Sequence, residues 1–369
     1  MWFIGFIFFI YLVTLSVLLF SLVNITNKKV SASISPKRFS ILVAFRDEEV
    51  HLPALIESLQ LLEYPKEQYE IIFINDHSTD ASENLVAQFE KASSQVQQLH
   101  LKEGLFGKKA ALQLAIEQAQ FEYIITTDAD CIVPKKWLLS YNTYLDSTDF
   151  DAVIGSVAIA KPTDFLSRFQ YYDFLALQAA GFALANLKRP FLCNGANFCY
   201  SKAAYEKVNG FQGNDHLPSG DDVLLLQKFV QHKLEIGYIL QQENLVLTQA
   251  ISKLRPFIEQ RKRWFFKTKS STLLQKAFGI LLLLTNLLVL VLLILAIFNH
   301  AYFLNLILLL IVKLSIDFFF TFEMAKKLQL PFRYLDFLLA NLFYPIGISL
   351  FISQLTNSYI QWKQRSYQV

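Results

Sequence analysis

The apolar residues of this chain are concentrated towards its two ends, in long runs that carry almost no charge. The first run, residues 2–23, has the length of roughly 20 residues that an α-helix needs to cross a bilayer. Further runs of this kind lie at residues 273–298, 302–322 and 334–355. The pattern predicts an N-terminal transmembrane anchor at residues 1–25, C-terminal transmembrane helices within residues 272–356, and a tail at residues 357–369.

The middle of the chain, residues 38–270, alternates short apolar runs with longer segments of helical spacing. The apolar runs predict β-strands in FSILVAF, YEIIFIN, VQQLHL and FEYIITT. The segments that begin at Arg46, His77 and Lys108, between these runs, predict helices. Strands that alternate with helices are typical of a doubly wound, mostly parallel α/β sheet. The length of the region suits one domain with its own core.

Two segments of this middle region are expected to lie at a membrane surface. Residues 164–190 are long and aromatic but too polar to span a bilayer, which predicts an amphipathic interfacial helix. Residues 254–270 are basic and aromatic and precede the second apolar run, so they predict another interfacial helix. Both helices would bring the central domain against the membrane lipids.

Lys and Arg residues flank the apolar runs and predict an orientation. Basic clusters lie at residues 28–38, 261–269 and 326–333. Because an excess of Lys and Arg marks cytoplasmic flanks, we expect an integral protein of the inner or plasma membrane with its central domain in the cytoplasm. Lys363 and Arg365 do not fit this orientation, so the sequence leaves the topology of the last helix open.

Composition excludes some classes of protein. A hydrophobic fraction of 53% is too high for an ordinary soluble enzyme. The net charge of +3 is small and its basic residues crowd the membrane edges, so a nucleic-acid partner is not expected. Cys131, Cys193 and Cys199 lack the spacing of metal ligands and are expected to be free thiols.

Acidic residues recur where the predicted strands end. They are Asp47, Glu48, Asp76, Asp128 and Asp130. Ligands of parallel α/β sheets bind at the carboxyl ends of strands, so these acids outline a site. The sequence has no glycine-rich phosphate loop, whereas Asp128 and Asp130 offer the hard oxygen ligands that Mg²⁺ or Mn²⁺ prefers. A solvated turn with helix-capping acids is the alternative.

The motifs FRDEE, NDHSTD, GKKAAL and TTDADC occur in this order, and with them residues 39–270 resemble the family 2 glycosyltransferases. The resemblance implies an A-type glycosyltransferase fold and a nucleotide-diphosphate sugar, such as a UDP-sugar, as donor. It implies donor binding by Phe45, Glu48, Asp76, Lys109 and Asp128. Asp128 and Asp130 fall on the metal-binding motif. Asp80 fits a helix cap equally well and is left out of the site.

The segment LCNGANFCYSKAAYEKVNGF resembles the acceptor side of the family. Gly195 would let the backbone approach a ligand and Asn197 could bind sugar hydroxyls, although packing explains both residues equally well. Gly220, Asp221 and Asp222 fall where the family usually has Glu-Asp. The resemblance implies that Asp222 is the general base and that Asp221 replaces the Glu. Helix capping is the alternative for these acids.

Gln260, Arg263 and Trp264 form a Q-x-x-R-W motif, and helical spacing puts them on one face. An Arg can grip a diphosphate, and an indole can stack on a sugar or close an acceptor site. The motif resembles those of polysaccharide synthases, such as poly-N-acetylglucosamine synthase, and of ceramide-type glucosyltransferases. On its own, a basic aromatic stretch before a membrane span is more often an interfacial anchor.

Together the motifs predict inverting transfer of a hexosyl or N-acetylhexosaminyl group to a polysaccharide or lipid-linked acceptor. Asp222, Asp221 and Arg263 are the predicted catalytic residues. Single transfer to a ceramide, isoprenoid or carotenoid-like lipid is the alternative, because few helices are available for a polysaccharide channel unless a homodimer completes one. A non-catalytic transporter or receptor with a degenerate α/β domain is the rival class. Lys313 and Asp317, in the third run, are expected to pair.

Overall fold

A computed structural model gives the fold of residues 2–30, 35–213, 220–267, 272–353, 359–362 and 365–368. The chain divides into two compact units. The first combines Thr26–Ala160 with Lys188–Gln249, and the second combines Met1–Ile25, Lys161–Leu187 and Ala250–Val369. The predicted sheet lies in the first unit, and the long apolar helices lie in the second.

The first unit is built around a mixed seven-stranded sheet. Its strands are β1 (Phe39–Phe45), β2 (Tyr69–Asn75), β3 (Val96–His100), β4 (Tyr123–Asp128), β6 (Ala152–Ile154), β8 (Phe198–Ser201) and β9 (Ile236–Tyr238). A smaller sheet contains β5 (Cys131–Ile132), β7 (Val157–Ile159) and β10 (Val246–Thr248). The larger sheet has the order β3-β2-β1-β4-β8-β6-β9.

The large sheet is parallel over its first half and mixed beyond it. β3, β2, β1 and β4 are parallel neighbours, β8 runs antiparallel to β4 and β6, and β6 is parallel to β9. Parallel strands need crossover connections, which here contain helices α2 (Leu52–Gln60), α3 (Ser82–Ala92) and α4 (Lys108–Gln118). The unit also contains α5 (Trp137–Leu145), α7 (Lys202–Lys207) and α8 (Val223–Gln231). The predicted doubly wound, mostly parallel sheet is confirmed.

Burial explains why the strand predictions succeed. Strands covered on both faces have continuous apolar runs rather than alternating patterns. Ile41, Leu42 and Val43 in β1 are all fully buried, as are Ile72 and Phe73 in β2. β1 and β2 occupy the segments FSILVAF and YEIIFIN without any shift.

Two of the predicted helices begin later than expected. Helices were predicted to start at Arg46 and His77, whereas α2 begins at Leu52 and α3 at Ser82. Asp47 and His77 adopt left-handed backbone conformations, with φ values of +50° and +58°. Such conformations interrupt a right-handed helix, so both segments form loops. The acids after β1 and β2 therefore lie on loops rather than in first helical turns.

The second unit is helical. It contains α1 (Trp2–Val23), α6 (Phe165–Asn186), α9 (Leu254–Lys267), α10 (Leu273–Phe298), α11 (Phe303–Lys327) and α12 (Tyr334–Ser353), with strands β11 (Tyr359–Trp362) and β12 (Arg365–Gln368) pairing in the tail. Within the part of the chain that the structure describes, four stretches are long and apolar enough to span a membrane: Ile4–Val23, Leu273–Phe298, His300–Lys327 and Tyr334–Ile352. The predicted arrangement of one N-terminal and three C-terminal membrane helices is confirmed.

Helix α6 is integrated into this second unit and packs against α1, α11 and α12. Ser21 Oγ donates a hydrogen bond to the carbonyl oxygen of Ala183, at 2.7 Å. The Arg168 guanidinium lies 3.2 Å from the Asp336 carboxylate on α12. Both predicted interfacial segments thus share a compact unit with the apolar helices, and their depth in a membrane stays a prediction.

The predicted charge pair inside α11 is confirmed. Lys313 Nζ lies 2.6 Å from Asp317 Oδ2, and both side chains are almost completely buried. The hydroxyl of Tyr11, on α1, donates a hydrogen bond to the other carboxylate oxygen of Asp317. The pair therefore links two apolar helices, and each charge has an opposite charge or a donor beside it.

Candidate active site

The carboxyl ends of β1, β2 and β4 meet at one edge of the large sheet. In the strand register, Phe45 lies opposite Asn75, and Ala44 lies opposite Asp128. The backbone N–H of Asp76 donates to the carbonyl of Phe45 at 2.9 Å. This register brings the acids that follow three strands to one edge. The Phe45 ring itself is buried in the core and packs edge-on against Phe73.

The loops after β1 and β2 are cross-linked by hydrogen bonds. Asp47 Oδ1 accepts from the backbone N–H of Thr79 at 2.7 Å, and the backbone N–H of Glu48 donates to Ser82 Oγ at 2.7 Å. The backbone N–H of Glu49 donates to an Asp80 carboxylate oxygen at 3.0 Å. Asp80 thus ties the two loops together, which agrees with leaving it out of the binding site.

Asp76 is a buried acid at this edge. Its Oδ2 accepts a hydrogen bond from the backbone N–H of Gly107 at 3.1 Å. Burial raises the pKa of Asp76, although this hydrogen bond and the nearby Arg46 partly offset the shift. Gly107 can present its N–H in this way because its backbone adopts φ +93°, a conformation that favours glycine. The Gly107 turn therefore connects the end of β2 to the start of α4.

Asp128 and Asp130 form a concentrated negative site. Burial, followed by the charges of Asp128 and Glu48, raises the pKa of Asp130 to about 6. Asp130 Oδ2 accepts a long hydrogen bond from Thr248 Oγ1, at 3.3 Å, and its Oδ1 accepts one from the Cys131 thiol, at 3.6 Å. Carboxylates that repel one another in this way favour a bound cation.

The donor set at this site fits a hard divalent cation. Ligand atoms of Asp128, Asp130 and Cys131 lie within 4.8 Å of one another. Burial and the two neighbouring carboxylates raise the pKa of the Cys131 thiol well above its usual value, so the thiol is neutral. A neutral thiol is a poor ligand for Mg²⁺ or Mn²⁺, whereas carboxylate oxygens are good ones. The two Asp residues are therefore the metal-ligand candidates among the described residues.

A lysine bridges the two acidic motifs. Lys108 Nζ lies 2.5 Å from Asp128 Oδ1 and 2.9 Å from Asp221 Oδ2. Burial opposes its charge, but these two carboxylates prevail and raise the pKa of Lys108 well above its ordinary value. The resemblance implies a role near the nucleotide for Lys109, which stays a prediction, and the neighbouring Lys108 is the lysine that contacts both acids.

Helical spacing carried a signal for Lys108. The apolar residues Ala111, Leu112, Ala115 and Ile116 of α4 are all buried. These positions lie three, four, seven and eight residues after Lys108, so helical periodicity places Lys108 on the same face. Lys109 is itself buried in α4, so this spacing admits both lysines, and the contacts of Lys108 with Asp128 and Asp221 distinguish it.

Gly195 lies in contact with both acids of the G-D-D motif. Its backbone N–H donates to Asp222 Oδ2 at 3.3 Å. A Cβ atom at this position would lie 2.8 Å from Asp221 Oδ2 and 3.0 Å from Lys108 Nζ, so nothing larger than glycine fits without displacing them. The structure thus gathers Lys108, Asp128, Gly195, Asp221 and Asp222 into one cluster.

The acids of the G-D-D motif have different surroundings. Asp221 is buried and paired with Lys108. Asp222 is half-buried and its Oδ1 accepts from the backbone N–H of Val223 at the start of α8, at 2.6 Å. Asp222 therefore combines a capping contact with access to solvent, whereas an ammonium compensates the charge of Asp221.

The structure corrects the prediction for Asn197. This side chain is completely buried, and its Oδ1 accepts from Trp137 Nε1 at 2.8 Å and from the Tyr141 hydroxyl at 2.7 Å. Its Nδ2 donates to the carbonyl oxygens of Ser156 and Asn244 at 2.8 and 2.7 Å. All hydrogen-bonding capacity of the amide is used within the core, so no part of Asn197 is available to a sugar.

The Q-x-x-R-W residues lie on α9, in the second unit. Gln260, Arg263 and Trp264 are each partly exposed. Trp264 packs against Phe174 of α6, with ring centroids 6.3 Å apart. Arg261 was not among the predicted site residues, and its guanidinium carbon lies 4.3 Å from the centroid of the Trp264 ring. The basic cluster before α10 concealed it, because one Arg among several has no distinguishing pattern.

Comparison with known proteins supports these observations. The sequence profile described as "Glycosyl transferase family 2" matches residues 40–208. Glycosyltransferase AglE of Haloferax volcanii is 24% identical over 226 residues, which are 61% of this chain and 70% of AglE. Beta-monoglucosyldiacylglycerol synthase of Nostoc sp. is 37% identical over 123 residues, which are 33% of this chain but only 26% of the synthase.

A solved structure shares the fold. The mannosyltransferase PcManGT from Pyrobaculum calidifontis, solved in complex with GDP-Man and Mn²⁺, has a TM-score of 0.55 at 13% sequence identity. The superposition covers 96% of this chain and 92% of PcManGT. At this identity, the likeness establishes the fold alone. The profile match and the curated relatives identify a glycosyl transferase family 2 domain in this chain, at residues 40–208.

Proposed function

We propose that this protein is a membrane-bound, inverting glycosyltransferase that moves a sugar from a nucleotide-diphosphate sugar to a polysaccharide or lipid-linked acceptor. The observation that carries the proposal is the cluster in which Lys108 bridges Asp128 and Asp221 while Gly195 contacts Asp222. It combines groups that can neutralise a diphosphate with a carboxylate that can accept a proton.

The donor would bind at the carboxyl edge of β1, β2 and β4. Phe45, Glu48 and Asp76 lie at the strand ends where the nucleotide is expected, with Phe45 contributing its backbone because its ring is buried. Asp128 and Asp130 would hold Mg²⁺ or Mn²⁺, which neutralises diphosphate charge when bound. Lys108 supplies a second positive charge beside this position.

Asp222 is the base and Asp221 is a supporting residue in this proposal. Asp221 is buried and its carboxylate is engaged by the Lys108 ammonium at 2.9 Å, so it is less available to an acceptor hydroxyl. Asp222 is half-buried and hydrogen-bonded to backbone N–H groups, which fix its orientation. It would take the proton from an acceptor hydroxyl as that oxygen attacks the anomeric carbon opposite the departing diphosphate, which inverts the configuration.

The Q-x-x-R-W residues would complete the reaction. From the resemblance, we assign Arg263 to the charge that develops on the leaving diphosphate, and Gln260 and Trp264 to the sugar or acceptor. An arginine suits a diphosphate because its planar fork donates two hydrogen bonds at once. An indole face suits the apolar face of a sugar ring.

The proposal also covers the acceptor and the side of the membrane on which the catalytic domain lies. The basic flanks of the apolar helices favour a cytoplasmic catalytic domain. The Nostoc relative is named for a glucosyldiacylglycerol product, which supports a lipid acceptor, and with it single transfer, as the second candidate. The match covers only a quarter of that synthase, so its substrate is not carried over to this chain as a whole.

Product analysis tests the proposal directly. Membranes that contain the protein are incubated with a panel of labelled nucleotide sugars, with and without EDTA, and extracted into lipid and polymer fractions. We expect a labelled product in one fraction, dependent on Mg²⁺ or Mn²⁺, with the new bond opposite in configuration to the donor. Asp130→Asn is expected to lose both donor-dependent thermal stabilisation by Mn²⁺ and transfer.

Two outcomes would refute the proposal. Retention of the donor configuration excludes the inverting mechanism. The absence of any product, together with no effect of UDP and Mn²⁺ or of GDP and Mn²⁺ on the melting temperature of the purified protein, favours the non-catalytic transporter or receptor class.

A further inference from the structure

Side chains of α6 contact α9 and the backbone just before it, and we call this set of contacts the α6–α9 contact. At one end, Gln170 Nε2 donates to the carbonyl of Ile251 at 2.8 Å, and the Ile251 N–H donates back to Gln170 Oε1 at 3.0 Å. Within the same contact, Phe169 packs edge-on against Phe257, with centroids 6.2 Å apart. Apolar and polar contacts therefore alternate and fix the register of the two helices.

An ion pair occupies the middle of the α6–α9 contact. Arg261 Nη2 lies 2.5 Å from Asp173 Oδ2, and the two side chains are only 15% and 8% exposed. A pair so well shielded from solvent is screened less by salt than a surface pair. Asp173 comes four residues after Phe169, so both project from one face of α6.

The guanidinium of Arg261 also lies over two rings of its own helix. Its central carbon is 4.3 Å from the Trp264 ring centroid and 4.8 Å from the Phe257 centroid. Helical spacing explains the arrangement, because residues 257, 261 and 264 fall on one face of α9. Phe174, which follows Asp173 in α6, packs against Trp264, one of the two rings that the Arg261 guanidinium contacts.

We propose that Asp173 and Arg261 are positioning residues that fix the indole plane of Trp264 for the acceptor. This inference rests on the proposed role of Trp264 in acceptor binding. Asp173 holds the guanidinium in place, and the planar guanidinium in turn holds the indole by stacking on its face. Trp264 thus meets the acceptor in a preset orientation instead of searching among rotamers.

The physical requirement is specific to arginine. A lysine at position 261 keeps the charge opposite Asp173, but its ammonium has no plane to lie along an indole. A neutral Asn at position 173 leaves the guanidinium without a counter-charge, so the guanidinium is free to turn away from Trp264. Both changes conserve size and helix propensity while they release the ring.

The experiment compares Arg261→Lys and Asp173→Asn with a matched control in the purified full-length protein. Asp336→Asn is the control, because it also removes an α6 ion pair, that of Arg168, but on the side of α12. Transfer to the acceptor and hydrolysis of the donor by water are measured with the donor identified by product analysis. Melting temperatures and donor affinity are measured in parallel to exclude misfolding.

We expect kcat/KM for the acceptor to fall about 10-fold in Arg261→Lys and in Asp173→Asn, as the loss of a partly desolvated stacking contact implies. Donor affinity and slow donor hydrolysis should change less than about twofold, and Asp336→Asn should resemble the wild type. The fluorescence component of Trp264, obtained by subtracting the spectrum of Trp264→Phe, should become more accessible to acrylamide in Arg261→Lys and Asp173→Asn.

Three outcomes would overturn the inference. Wild-type acceptor kinetics in Arg261→Lys would show that stacking is not required. An equal loss of transfer and hydrolysis, or rescue by the charge-swapped pair Asp173→Arg with Arg261→Asp, would show a purely structural ion pair. If Trp264→Ala itself transfers normally, the proposed role of Trp264 fails first, and that result is distinguishable because it does not involve the ion pair.

Discussion

Lys108 Nζ lies 2.9 Å from Asp221 Oδ2, so a lysine at the start of α4 pairs with an acid just before α8. The same ammonium contacts Asp128 at the end of β4. This single side chain therefore connects the D-x-D motif to the G-D-D motif. In the proposed function, this ammonium balances the charge of both motifs and would turn to the diphosphate of the donor.

We predict that Lys108→Gln lowers turnover by about 10²-fold and weakens donor binding, because a preorganised positive charge beside the diphosphate is lost. Binding of Mn²⁺ alone should not weaken, since the ammonium no longer competes for the carboxylates. Steady-state kinetics and calorimetric titration measure these effects. The adjacent Lys109→Gln is the comparison, and an equal loss of donor binding there would contradict the assignment to Lys108.

Gly195→Ala should impair catalysis more than folding. The added Cβ would meet Asp221 Oδ2 at 2.8 Å and Lys108 Nζ at 3.0 Å, so the bridging ion pair must move. We expect turnover to fall by at least about 10-fold, as small displacements of a catalytic cluster do, with little change in melting temperature. Gly279→Ala, where an added Cβ would meet nothing within 4 Å, is the control. Normal turnover in Gly195→Ala would show that the cluster tolerates displacement.

Asp222→Asn separates the capping role of this residue from its proposed catalytic role. The amide oxygen of Asn can still accept the hydrogen bond from the Val223 N–H, so α8 should keep its N-terminal cap. Turnover should nevertheless fall by about 10²–10⁴-fold while donor affinity persists, because the amide cannot take a proton. Single-turnover kinetics with labelled donor provide the measurement. A drop in melting temperature that accounts for the lost activity would instead identify Asp222 as a cap.

Asn197 belongs to the framework, and its substitution should act on stability. Asn197→Ala removes the acceptor of two donors, Trp137 Nε1 and the Tyr141 hydroxyl. It also removes the donor to two backbone carbonyls, those of Ser156 and Asn244. Buried groups without partners cost about 1–3 kcal/mol each, so we expect a loss of roughly 2–4 kcal/mol after relaxation. Thermal unfolding measures the loss. A raised KM for donor or acceptor at unchanged stability would restore the predicted contact between Asn197 and a sugar.

The sequence predicted the sheet and the edge of the site because these depend on local patterns. Apolar runs long enough to be buried on both faces defined β1 and β2, and parallel order then brought Asp76 and Asp128 to one edge. Lys108 and Lys109 satisfy the same motif spacing. The two side chains leave α4 in different directions around its axis, and a sequence motif does not specify which of these directions faces the site.

The sequence left packing and sugar binding equally open for Asn197 and gave no particular role to Arg261, because the partners of both residues are distant along the chain. The amide of Asn197 is satisfied by four residues from three other segments of the chain, and a sequence does not reveal such distant partners. Arg261 gains its importance from Asp173, which lies on a different helix. The late starts of α2 and α3 likewise depend on hydrogen bonds between two loops rather than on helix propensity.

The buried pair in α11 leads to a prediction that distinguishes a structural role from a transport pathway. Lys313→Met leaves the Asp317 carboxylate buried with only the Tyr11 hydroxyl as donor, so we expect a loss of roughly 3–5 kcal/mol in stability. The double substitution Lys313→Leu with Asp317→Leu removes both charges, and stability should recover largely because apolar side chains suit this environment. Unfolding in detergent gives the stability, and transfer per folded molecule gives the function. Ser315→Ala is the control, because its exposed hydroxyl bonds only within α11. A double variant that is folded but unable to transfer sugar would show that the charges act in function rather than in holding α1 to α11.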